Sequence, residues 1–169
     1  MSLFHCNYTP ISTLRVGLIQ ALGLMTTDIA HADSDGEIAQ TFEVMQQLWP
    51  ELGPDGYVAM IRSLMASDLM RLLALREGGV VRAVASYRVV SMIFTGSVIH
   101  VDDLVTDNRV RSRGYGAKLI ARLEEVGKEL ECTEIQLVSR TDREQAHRFY
   151  FREGFGIQYF HLRKKLSYS

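Results

Sequence analysis

Apolar residues recur along this chain with two different periods, and the changes between them mark the elements. Thr26 to Ala32 (TTDIAHA) reads as a first strand. Asp33-Ser34-Asp35-Gly36-Glu37 then offers cap residues and early acids for a helix, whose apolar stripe is Ile38, Phe42, Met45 and Leu48. Pro50 and the LGPDG segment stop that helix, and Tyr57, Met60, Ile61 and Leu64 mark a second. Period-two patterning follows. Leu69 to Arg76 is one strand, Glu77-Gly78-Gly79 its turn, and Val80 to Ile93 its β-branched partner. Thr95-Gly96 makes another turn before Val98 opens a central strand. Beyond a basic, glycine-bearing turn the period becomes helical as far as Leu130. Glu134 to Ser139 is a short strand, and Arg143 to Arg152 a helix with Ala146, Phe149 and Tyr150 near one face. Gly154 is placed to end it, and Phe155 to Leu166 returns as a last strand.

The order is therefore β-α-α-β-β-β-α-β-α-β, an α/β (α+β) chain with a mixed sheet flanked by helices. Residues 1–24 stand apart as an N-terminal extension, with residues 25–169 as one domain. In the extension, Thr9 and Pro10 could open a helix that Gly23 ends, with Ile11, Leu14, Leu18 and Leu22 on one face. A chain of 169 residues fits one domain, and 47% apolar with 23% charged residues is ordinary globular composition. A formal net charge of −1 argues against a general nucleic-acid binder. No apolar run approaches the ~20 residues of a membrane span, and the N-terminus lacks a signal-peptide pattern. The expected setting is the cytoplasm, away from the membrane. Two cysteines, Cys6 and Cys132, make no disulfide framework, and His147 and His161 have no third ligand at useful spacing, so no metal is assigned.

The most informative stretch is Arg111-Ser112-Arg113-Gly114-Tyr115-Gly116, between a strand and a helix. A pyrophosphate needs several donors converging in a small space. Backbone N–H groups at a helix N-terminus supply them, and the helix dipole favours the negative charge. Gly114 and Gly116 would keep side chains out of the close approach. Alone, the pattern is also what an ordinary strand–helix turn with solvated arginines would show. A Rossmann reading lacks an acidic partner on a following strand, and a Walker reading lacks the G-K-[ST] ending.

Two blocks together are more specific. LVTDNRVRSRGYGAKLI resembles the acetyl-CoA pyrophosphate motif of the GCN5-related N-acetyltransferases. AHRFYFREGF (Ala146–Phe155) resembles that family's later block, commonly A-x-x-F-Y-x-x-x-G-F. The resemblance spans roughly residues 26–166. His100 to Asp107 further resembles a bacterial subgroup of small acetyltransferases. The fold implied is a mostly antiparallel central sheet of six to seven strands, with two strands splayed in a V. Leu104, Val105 and Thr106 would meet the pantetheine arm and polarise the thioester carbonyl. Arg111, Ser112, Arg113, Gly114, Tyr115, Gly116 and Ala117 would hold the pyrophosphate. Arg143 stands where many members carry a cofactor-contacting asparagine.

The resemblance also implies a reaction, direct attack of a primary amine on acetyl-CoA. Tyr150 matches the family's tyrosine acid at the leaving thiolate; its other reading is an aromatic core residue. Asp102 and Asp103 are the candidate bases. Strand alternation would send them to opposite faces, so that one alone enters the acceptor cleft. Asp102 leads, with Asp103, His100 on Asp102's face, or a relaying water as alternatives. The acceptor, a small molecule or a protein lysine, is left open, and a homodimer is expected by analogy alone. The rival reading is an acyl-CoA-binding sensor without turnover; a nucleotide-binding module is a third.

Overall fold

The computed structural model describes residues 26–167, so the helix expected within residues 1–24 lies outside the described part. Ten short elements follow in order. Strand β1 spans Thr27–His31, helix α1 Asp35–Met45, helix α2 Tyr57–Ser67, β2 Arg71–Glu77 and β3 Val80–Met92. Strand β4 spans Gly96–Thr106, a single 3-10 turn Asn108–Val110, α3 Tyr115–Glu129, β5 Glu134–Leu137 and α4 Glu144–Arg152. The sheet runs in chain order, β1-β2-β3-β4-β5. Its first four strands are antiparallel neighbours, and β4 pairs with β5 in parallel.

Strand alternation divides the core into two layers. On one face Leu72, Ala74, Val81 and Val84 pack against Ile38, Val44, Met45 and Ile61 of α1 and α2. On the other, Leu73, Leu75, Ala83, Ala85 and Tyr87 meet Leu119, Ile120, Leu123 and Val126 of α3. Those four residues form one stripe at helical spacing, so one face of α3 is fully committed to the sheet. Helix α1 begins with a capping box: the Glu37 backbone N–H donates to the Ser34 hydroxyl, and the Ser34 N–H donates to the Glu37 carboxylate.

Two features position the site. Pairing between β4 and β5 runs from Val98↔Glu134 to Val101↔Leu137 and stops there. Strand β4 continues to Thr106, still paired with β3, so its other edge is open beyond Val101. The second is a β-bulge. Ser86 pairs with Asp103 but Tyr87 pairs with Val101, which leaves Asp102 as the extra residue.

The sheet has five strands among the described residues, not six to seven, and the strand expected over Phe155 to Leu166 does not form. Its apolar alternation, Ile157 and Tyr159, slips phase at Phe160 and Leu162, so no single face could be buried. The adjacent edge strand β5 offers only four residues to pair with. Phe160 and Leu162 are each 91% exposed, and Tyr159 rests its ring against Phe94.

Candidate active site

The open edge of β4 leads directly into the glycine-bearing turn. Ser112 has φ +65° and Gly114 φ +77°, two left-handed residues flanking Arg113. Such alternation points successive N–H groups into one concavity. Gly114 is the N-cap of α3 and has no side chain with which to cap it. The first helical hydrogen bond comes from Lys118 N–H to the Gly114 carbonyl, so the N–H groups of Tyr115, Gly116 and Ala117 have no partner within the helix. Arg113 is occupied, donating to Glu77 at 3.0 Å and to the Tyr115 hydroxyl at 3.2 Å. Arg111 and Arg143 make no ion pair among the described residues, which leaves both guanidinium groups available to an anion. Donor set, charge and open backbone all fit a pyrophosphate.

The two glycines do different jobs. A Cβ on Gly114 would meet nothing within 4 Å, so its requirement is the left-handed backbone. A Cβ on Gly116 would lie 3.1 Å from the ring tip of Phe149 and 3.3 Å from a second ring carbon. Gly116 therefore lets α4 pack against the start of α3, a packing requirement beside the expectation that it clears space for phosphate. Tyr115 is likewise buried in the core, beside Leu119.

Helix α4 ends in a Schellman motif. The Phe155 N–H bonds the Tyr150 carbonyl and the Gly154 N–H bonds the Phe151 carbonyl, with Gly154 at φ +85°. The accompanying contact is the Phe155 ring against Tyr150, centroids 5.6 Å apart. Phe149 abuts Tyr150 from the other side at 5.3 Å. The phenol is thus clamped between aromatic rings. Burial pushes its pKa up, the Arg143 charge pulls it down, and Asp103 raises it further. Tyr150 is accordingly a neutral O–H donor at neutral pH, within electrostatic reach of Asp103.

The bulge changes the expectation for the two acids. Alternation fails at Asp102, and both carboxylates line one cavity with Ser86. Asp102 is held by Arg88 through two hydrogen bonds, 2.9 Å from Nε and 2.6 Å from a terminal nitrogen. His100 Nε2 stands 3.8 Å from Asp102, on the shared face expected of it. Asp103 accepts from the Trp49 indole at 2.7 Å and the Ser86 hydroxyl at 2.5 Å. Leu104, Val105 and Thr106 continue along β4 past the point where β5 departs.

A family model described as the acetyltransferase (GNAT) family matches residues 38–156. The chain belongs to that family. It is 30% identical over 132 residues to the uncharacterized N-acetyltransferase YhdJ of Bacillus subtilis (strain 168), covering 78% of this chain and 93% of that one. It is 27% identical over 143 residues to the aminoalkylphosphonate N-acetyltransferase of Salmonella typhimurium (strain LT2), covering 82% and 91%. Among solved structures, an aminoglycoside N-acetyltransferase AAC(6')-Iy in complex with CoA superposes with a TM-score of 0.71 at 18% identity, over 83% of this chain and 96% of that one. The last likeness is one of fold.

Within this GNAT domain one important group escaped the sequence reading. Asp107 follows β4 directly and its side chain is 0% exposed. It accepts from Arg109 Nε at 2.9 and 3.0 Å, the Arg109 N–H at 3.1 Å, Gln47 Nε2 at 3.3 Å and Arg82 at 3.4 Å. The Arg109 guanidinium above all holds its carboxyl down to about 2, against the opposing effect of burial. A buried aspartate one residue past a strand was the available signal. Arg109 lies two residues on, but the partners Arg82 and Gln47, 25 and 60 residues away, were not visible. No helix among the described residues is long and apolar enough to cross a membrane.

Proposed function

We propose that this protein transfers an acetyl group from acetyl-CoA to a primary amine by direct attack. One observation carries the reading: β4 parts from β5 at Val101 and leads into an uncapped helix N-terminus with Arg111 free beside it. The relatives named N-acetyltransferases support the same chemistry. Arg111, Ser112, Gly114 and the N–H groups of Tyr115, Gly116 and Ala117 hold the pyrophosphate, with Arg143 adding charge from α4. Acetyl-CoA supplies the activated thioester when bound. The open backbone edge at Leu104, Val105 and Thr106 orients the acyl carbonyl and stabilises charge building on its oxygen. Asp102 and Asp103 attract the acceptor's ammonium and receive its proton, directly or through a water. The Tyr150 phenol gives a proton to the departing sulfur. The ammonium sheds two protons on the way to the amide, one to the β4 carboxylates before attack and one through water from the tetrahedral adduct. As the C–N bond forms and the C–S bond breaks, α4 returns one to sulfur, and one is released to solvent.

Both carboxylates already have donor partners, which favours one second reading, an acyl-CoA sensor without turnover. Calorimetry with acetyl-CoA and a thiol-release assay over a panel of primary amines separate the two. Binding with amine-stimulated thiol release is expected. Binding with no release from any amine leaves the sensor, and no binding at millimolar cofactor overturns both.

A further inference from the structure

The cavity beside the two aspartates is about 370 Å³, within the range of small-molecule sites. Its walls are the Trp49, Tyr57, Met60 and Leu64 side chains, with Asp102 and Asp103 at one end. Three carboxylates line it, Glu51 being the third, and among the described residues the lining contains no Lys, Arg or His. The polar ends of the aromatic walls are already used. The Tyr57 hydroxyl bonds Thr41 at 2.8 Å and the Trp49 indole N–H is given to Asp103. These rings therefore offer the cavity apolar surface. The nearby cation, Arg88, is spent on Asp102.

From this we infer that the acceptor is a primary amine carried on a compact apolar body with no anionic group. The inference rests on the proposed acetyl transfer and names its substrate class. An ammonium beside the aspartates gains the Asp103 carboxylate, whose own partners are the neutral Trp49 and Ser86 donors, in a partly dry site where charge pairing is stronger than in water. The remainder of the molecule buries apolar area against Trp49, Met60 and Leu64, at roughly 25 cal/mol per Å². A phosphonate or carboxylate on the same molecule would meet like charge and no counter-ion. A sugar amine or a polyamine would set hydroxyls or further ammonium groups against the apolar Trp49, Met60 and Leu64 walls, while Asp102 and Asp103 already have donor partners. The aminoalkylphosphonates of one relative are thereby disfavoured here.

The chain has a single tryptophan, Trp49, and it stands in the cavity wall at 45% exposure. Its emission reads occupancy whether or not turnover follows. The experiment titrates full-length protein with 2-phenylethylamine, 2-aminoethylphosphonate, spermidine and kanamycin, followed by the same panel in the thiol-release assay. A saturable blue shift with phenylethylamine is expected, at a Kd at least tenfold below the other three, with kcat/KM in the same order. Leu64→Lys, at a part-exposed wall position, should weaken phenylethylamine and tighten aminoethylphosphonate. Equal or tighter binding of the phosphonate, spermidine or kanamycin overturns the inference, even if acetyl transfer proceeds. Phenylethylamine binding with no thiol release from any amine overturns the acetyl-transfer reading and leaves the ligand class standing. An unmoved Trp49 spectrum with phenylethylamine rejects the class outright.

Discussion

Replacing Asp107 with asparagine should unfold this protein more easily, by an amount that depends on pH in a calculable way. The native carboxyl titrates at about 2 in place of 3.8. A tenfold change in proton affinity corresponds to about 1.4 kcal/mol, so the folded state gains about 2 kcal/mol from the ionised form. Arg109 is 57% exposed, so water screens part of this, and 2 is nearer the ceiling than the mean. Asparagine keeps the shape but leaves the Arg82 and Arg109 guanidinium groups short of a counter-charge, which raises the cost toward about 3 kcal/mol at pH 7. The sign follows from a depressed native pKa. The stabilisation is fully present above pH ~4, where the unfolded carboxyl is ionised, and is lost as pH falls through about 2. Urea unfolding of both proteins at pH 7, 5, 3 and 2 would show it. The gap between them should hold from pH 7 to 5, then narrow by more than half by pH 2. A gap of the same size at pH 7 and pH 2, or none at pH 7, would refute the argument. Asp107 closes the strand that opens the cofactor turn, and the Asn108 N–H is tied to Gln47 at 2.8 Å. Weaker acetyl-CoA binding should therefore accompany the loss of stability.

Gly154→Ala places a Cβ at φ +85° with free space around it, so its cost is backbone strain alone, about 1–2 kcal/mol, read from the urea midpoint. Gly154→Asn should recover part of that, since asparagine tolerates the left-handed region better; identical midpoints for the three proteins would dismiss the strain account. Tyr150→Phe keeps the ring between Phe149 and Phe155 and removes the proton donor. Turnover should fall by about 10²-fold or more while acetyl-CoA affinity stays within twofold, and an unchanged rate removes the phenol from the chemistry. Because burial raises the Tyr150 pKa, the wild-type rate should show no basic limb from this group below pH ~10.

The legible parts of this chain were those written in local pattern. Periodicity located every strand and α-helix up to α4 within a few residues, though not the 3-10 turn, because each strand or helix buries one face against a neighbour and must repeat accordingly. The F-Y-x-x-x-G-F spacing encoded a physical object, the Schellman turn that sets Phe155 on Tyr150. What could not be read depended on partners far along the chain. The bulge at Asp102 exists because β3 and β4 disagree by one residue, and neither strand shows this alone. The packing role of Gly116 could not be read because the ring that fills its Cβ space belongs to another helix. The last strand failed for the converse reason. Its residues are strand formers, but their alternation slips phase at Phe160 and no long neighbour stands ready to pair with it.

The bulge also explains why the two halves of the site lie where they do. Bulges bend a strand and increase its twist. Here the extra residue follows immediately after Val101, the last residue of β4 to pair with β5. A strand that turns at that point cannot keep its parallel neighbour, so its edge opens over Leu104 to Thr106, the segment proposed to meet the acyl group. The same extra residue cancels the alternation that would have separated Asp102 from Asp103, and both line the cavity proposed for the acceptor. One inserted residue thus sets the proposed donor edge and the proposed acceptor carboxylates side by side on a single strand. Transfer between two bound molecules requires this, because most of the rate gained by holding reactants together is lost if their sites can move independently.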